Sequence, residues 1–109
     1  MELFIYRVMV RGRFADLDDA GRARLAAEVT DHDVITAGGF TEGGTLAYTS
    51  AIDFFTFRYQ LRQRAESPAE AERAVADEAR SRAEDALAAK GVAARDVKVQ
   101  VTDMADVWR

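Results

Sequence analysis

Three stretches of the chain alternate large apolar residues with polar ones, the period of a β-strand with one buried face. In "LFIYRVMVRGRF", Phe4, Tyr6, Val8 and Val10 share one parity, and Leu3, Ile5, Arg7, Met9 and Arg11 the other. The first set is the better core face. "DFFTFRYQLR" repeats the scheme, with Phe55, Phe57, Tyr59 and Leu61 against Phe54, Thr56, Arg58, Gln60 and Arg62. "DVKVQVTD" sets Val97, Val99 and Val101 against Lys98, Gln100 and Thr102. A weaker signal lies in "VITAGGFTEGGTLAYTSAID", where two Gly-Gly pairs precede Leu46 and Tyr48 at strand spacing. It predicts a glycine-broken, bulged strand centred on "TLAYT" that turns at "SAID".

Two segments have a helical period instead. In "DLDDAGRARLAAEVT", Leu17, Gly21, Leu25 and Val29 recur every four residues behind the N-cap candidates Asp16 and Asp18, as in a short amphipathic helix. The second helix carries stronger signals. Ser67 is its N-cap, Pro68 its first helical residue and Glu70 the partner that closes a capping box, while "AKG" offers a basic end and a terminating glycine. Its stripe of Ala71, Val75, Ala79, Ala83 and Leu87 is mostly small, which lets the helix lie close to a sheet whose aromatics fill the space.

The order β-α-β-β-α-β predicts an α+β fold of ferredoxin-like type: one four-stranded antiparallel sheet, both helices on one face, strands one and three central. With 109 residues, the chain is expected to form a single domain over 1–109.

Charge sharpens this picture. The net charge is −4, which suggests no general attraction to nucleic acid or an anionic membrane. Yet Asp16 to Asp33 holds six acids and two bases, and Ser67 to Lys90 six acids and four bases, so the helical segments exceed the whole negative balance. The basic residues gather on the sheet face away from the helices, with Arg7, Arg11, Arg58, Arg62 and Lys98. Ile5, Met9 and Phe54 lie among them. Such a face is too apolar for an ideal solvated surface and too charged for a dry interface, which points to a homodimer contact or to a site for a small anionic or aromatic ligand. Arg7, Arg11, Arg58 and Arg62 are the predicted anion ligands. Single-stranded RNA would require stacking aromatics on the central strands, and this face offers only Phe54.

Other chemistry is sparse. The chain has no cysteine and one histidine, so disulfides, thiolate nucleophiles and cysteine zinc sites are excluded, and no metal or cofactor is expected. His32 in "TDHDV" is read as a surface residue at a helix end. "GGFTEGG" is followed by a strand rather than a helix, so it reads as turns rather than a phosphate loop. Trp108, in the closing "TDMADVWR", is expected to pack within the chain or a dimer, or to stack on a ligand. The apolar start is broken by Arg7 and no stretch reaches membrane-span length, so a cytoplasmic protein is the expectation.

Together "YRVMVRGRF", "HDV", "DFFTFRYQLR" and "TDMADVWR" resemble a family of short actinobacterial proteins of unknown function, over nearly the whole chain. In size and element order the chain is also similar to the dimeric α+β barrel superfamily, which includes cofactor-independent antibiotic-biosynthesis monooxygenases and small polyketide cyclases. Two functions from different classes follow. One is an accessory or ligand-binding homodimer using the arginine face. The other is a cofactor-independent enzyme acting on a polyketide or aromatic substrate, with His32 and Tyr59 as its candidate catalytic groups.

Overall fold

The computed structural model of the protein describes residues 1–106. Its elements are β1 (Glu2–Ala15), α1 (Asp19–Ala27), a 3-10 turn (Val29–His32), α2 (Val34–Ala37), β2 (Thr45–Tyr48), β3 (Phe54–Ala65), α3 (Pro68–Ala89), β4 (Ala93–Asp103) and a final 3-10 turn (Met104–Asp106). All strand pairs are antiparallel, in the order β2-β3-β1-β4. The expected α+β topology is therefore present, with β1 and β3 central.

The parity read from the sequence decides the layers. Tyr6, Val8, Val10, Phe14, Phe55, Phe57, Tyr59 and Leu61 are all buried and form one core with Leu25 of α1 and the α3 stripe. Ala71, Val75, Ala79, Ala83 and Leu87 of α3 are at most 1% exposed. Methyl-sized side chains along that stripe leave room for the aromatic ladder of β3, where the rings of Phe57 and Tyr59 stack at 6.0 Å. Burying a valine or leucine in such a core stabilises it by about 1.5–3 kcal/mol.

The caps that delimit the helices are those the residue types imply. Asp18 Oδ1 accepts from the Gly21 N–H at 2.7 Å, and Ser67 Oγ from the Glu70 N–H at 3.2 Å. Glu70 reaches back to the N–H of Glu66, one residue before the cap, at 3.1 Å. Gly91, with φ 75°, follows Lys90 and ends α3.

Three expectations are corrected. The first α-helix stops at Ala27 and the chain continues as the 3-10 turn, so Val29 belongs to that turn. The strand centred on "TLAYT" is present as β2, but no glycine breaks it: residues 34–44 before it form the single-turn α2, where Asp33 Oδ1 accepts from the Ile35 N–H at 2.8 Å, and a loop. That loop still meets the sheet, because Thr41 C=O accepts the Gln60 N–H of β3 at 2.8 Å. The bulge lies in the β1–β4 ladder, between Arg11 and Arg13, rather than in β2.

Candidate functional site

Position along β1 and β3 places the arginines of the helix-free face on a zigzag. The register sets Ile5 opposite Arg62, Arg7 opposite Gln60, Met9 opposite Arg58 and Arg11 opposite Thr56. Arg58 is thus the diagonal neighbour of both Arg7 and Arg11, at a backbone separation of about 7–8 Å, and Arg62 is the diagonal neighbour of Arg7. Across the other ladder Arg11 faces Lys98.

The connection from α1 to β2 changes this face, which the strand pattern alone leaves open. Its Val29 and Val34 line one cavity together with Ala47, Phe54, Thr56 and Arg58 of the sheet, and its Phe40 ring lies under the Arg7 guanidinium at 5.1 Å from the centroid. The segment crosses the β2 edge and roofs part of the sheet. Strand β2 has only four residues, so the roof can reach β3 and β1.

Each arginine consequently has its own surroundings. Arg7 Nε donates to Gln60 Oε1 at 3.3 Å in addition to its contact with Phe40. Arg62 lies 3.7 Å from Glu42, both well exposed, a pair that adds little stability. Glu42 is an acidic neighbour supplied by the loop and not by the sheet. Arg11 is exposed and makes no hydrogen bond or ion pair among the described residues. Arg58 differs from all three. It is half-buried, and its Nη1 is the one buried side-chain polar atom without a hydrogen-bond partner among the described residues. A buried donor left unpaired costs about 1–3 kcal/mol, and more when it is charged.

The cavity beside Arg58 measures about 510 Å³, within the range of small-molecule sites. Valine, alanine and the half-exposed Phe54 give it apolar walls, Thr56 and Ser50 contribute hydroxyls, and Arg58 brings the one cation among the described residues. Asp33 stands in the wall, with its Oδ1 engaged on α2.

The candidate catalytic groups occupy other places. His32 is not a free surface residue: its Nδ1 lies 3.0 Å from the Leu46 C=O and its ring stacks on Tyr48 at 5.2 Å. A carbonyl only accepts, so Nδ1 carries a proton. Tyr59 is 2% exposed on the core side, with Arg82 of α3 5.7 Å from its ring centre. Burial pushes its phenol up to about 12, with Arg82 offsetting part of the rise. Neither residue lines the Arg58 cavity. Trp108 lies outside the described residues. Sequence reasoning missed Phe40 and Val34 as parts of this face; their signal was apolar side chains in a segment with no strand period.

These features define a small α+β protein of ferredoxin-like topology with an arginine-lined, partly roofed sheet face. The chain belongs to the family of unknown function DUF6204, whose profile matches residues 1–108. Comparison with the curated proteins and with the solved structures returns no match. No helix among the described residues is long and apolar enough to cross a membrane.

Proposed function

We propose that this protein binds a small organic monoanion, a carboxylate with an apolar or aromatic body, in the cavity around Arg58, and that it works as a homodimer with apposed sheet faces. The observation that carries the reading is the buried, unpartnered Arg58 Nη1 beside an apolar cavity. A ligand carboxylate at the Arg58 guanidinium would form a charge-assisted hydrogen bond, and a shift of the side chain towards the cavity would bring it the acceptor that Nη1 lacks. Val34, Ala47 and Phe54 would cover the ligand's body, and Thr56 and Ser50 would hydrogen-bond its remaining polar atoms.

Binding is favoured over catalysis because the cavity is lined by neither His32 nor Tyr59. Arg58 is the one cation and Asp33 the one carboxylate among the described lining residues, so the cavity suits no more than a single negative charge, held at the Arg58 end. The dimeric part of the reading is supported by Phe54 and Leu3, which are 56% and 45% exposed on the same face.

Thermal denaturation at low ionic strength with benzoate tests the binding reading. Benzoate at a hundredfold excess over its dissociation constant adds about 2.7 kcal/mol of stability, so the melting temperature of the wild type should rise clearly. The rise should vanish in Arg58→Gln, which keeps a side chain in the wall. If benzoate does not move the wild-type melting temperature, or if the rise survives in Arg58→Gln, the reading fails.

A further inference from the structure

Phe54 is also a wall of a second cleft, of about 470 Å³, whose charged lining is Arg11, Arg13, Lys98 and Asp96. The β-bulge shapes it. Arg11 pairs with Lys98 and Arg13 with Arg95, so Asp96 and Val97 together face the single residue Gly12. Asp96 takes φ 54°, in the left-handed region where a bulge of this kind usually carries glycine. Bulges re-aim side chains beside functional sites, and backbone strain of this sort persists where the surroundings over-determine it.

The cations here are poorly compensated. Arg11 and Lys98 stand directly opposite each other, an arrangement of like charges that destabilises a sheet. Neither makes a hydrogen bond or ion pair among the described residues, and both are exposed. Arg13 is held with its guanidinium over the Phe54 ring, 4.9 Å from the centroid, which leaves its N–H edge available to an in-plane acceptor. Three cations against one carboxylate leave a charge near +2 in the cleft, from the four charged residues of its lining.

We infer that this cleft is a second anion site, selective for the dianion of a phosphate monoester, with Phe54 supporting the ester's aromatic or apolar body. A phosphate monoester carries a charge of about −1.5 to −2 at neutral pH and three acceptor oxygens, which matches the cleft in charge and can engage Arg11, Arg13 and Lys98 together. A carboxylate or sulfonate supplies half that charge. The site stands independently of the Arg58 cavity. Because Phe54 walls both, a larger ester extending past its ring would place its body beside Arg58.

Isothermal titration at low ionic strength with phenyl phosphate and with benzenesulfonate, a monoanion of similar shape, tests the inference. Phenyl phosphate should bind at least about tenfold more tightly than benzenesulfonate, the factor that one charged hydrogen bond supplies. Lys98→Gln and Arg11→Gln should each weaken it by about tenfold, and Lys98→Arg should retain it. Asp96→Asn should tighten it, since asparagine tolerates the left-handed conformation and removes the opposing charge. Both cations are exposed, so circular dichroism should show folded variants, and Lys98→Gln decides alone if Arg11→Gln does not fold. Absence of binding to the wild type, equal affinity for the two anions, or insensitivity to Lys98→Gln would overturn the inference. These outcomes are separate from the benzoate result, which depends on Arg58.

Discussion

Tyr48 donates its hydroxyl proton to the carbonyl of Leu25 at 2.7 Å, tying the edge strand β2 to the last turn of α1 inside the core. The same carbonyl accepts the Glu28 N–H at 3.2 Å, so it keeps one partner if the tyrosine hydroxyl is removed. Tyr48→Phe should therefore cost only about 1 kcal/mol, near the middle of the range for a single hydrogen bond. In a domain of this size that lowers the melting temperature by about 4–8 °C, measurable by circular dichroism. No change at all would mean that the bond adds nothing to the α1–β2 contact.

All three tyrosines of the chain have raised pKa values. Tyr48 and Tyr59 are each pushed up to about 12, chiefly by burial; Glu28 and Asp31 add to the rise at Tyr48, and Arg82 opposes it at Tyr59. Above pH 10 the folded chain holds these protons more tightly than the unfolded chain does. Their contribution to stability is thus complete below about pH 10 and lost as the pH climbs towards 12. Urea denaturation across this window should show falling stability, with a shallower fall in Tyr59→Phe. The phenolate absorbance of the native protein should also lag behind that of free tyrosine. A native titration midpoint near 10 would contradict the burial of these phenols.

Gly44 has φ 86°, and a Cβ built there would lie 2.1 Å from the Tyr59 ring. That ring cannot easily retreat, because Phe57 stacks on one side and Arg82 approaches it from α3. Gly44→Ala combines a left-handed backbone with overpacking, and should cost about 2–4 kcal/mol. Gly43, next in the chain, has nothing within 4 Å of its would-be Cβ, so Gly43→Ala should stay within about 0.5 kcal/mol of the wild type. Chemical denaturation of the two variants side by side separates a specific close approach from a general demand for glycine in the loop. Equal stabilities would remove the argument.

The strands and α3 were legible in the sequence because each carries enough residues to display a period and a cap: the alternation of β1 and β3, Ser67 with Pro68, and the five-membered stripe from Ala71 to Leu87. Membership of the arginine face followed from parity alone. The burial of Arg58 did not, since it depends on where the segment from Val29 to Gly44 runs after leaving α1, and a four-residue helix is too short to show amphipathicity. His32 read as a surface residue because stacking on Tyr48 is a tertiary contact with no local signature. The bulge was hidden for a different reason. Its left-handed position holds Asp96, whereas the glycine that would betray such a feature sits at residue 12 on the facing strand.

The proposed homodimer can be tested through the residues that the roof leaves uncovered. Phe54 and Leu3 remain exposed large apolar side chains, and Ile5 and Met9 are half-buried between arginines on the same face. Apposing two such faces would remove this apolar surface from water, at about 25 cal/mol for each Å². The acidic helices would stay outside, so the contact gains little from charge pairing and must cope with Arg11 and Lys98 facing their counterparts. Bound anions would relieve that repulsion, and dimerisation should therefore strengthen when phosphate replaces chloride at equal ionic strength. Light scattering should give a mass of twice the 12.0 kDa chain at micromolar concentration, and Ile5→Asp combined with Phe54→Asp should return it to one chain. A monomer in both buffers, or a dimer untouched by the double substitution, would move the oligomer contact off the sheet or remove it altogether.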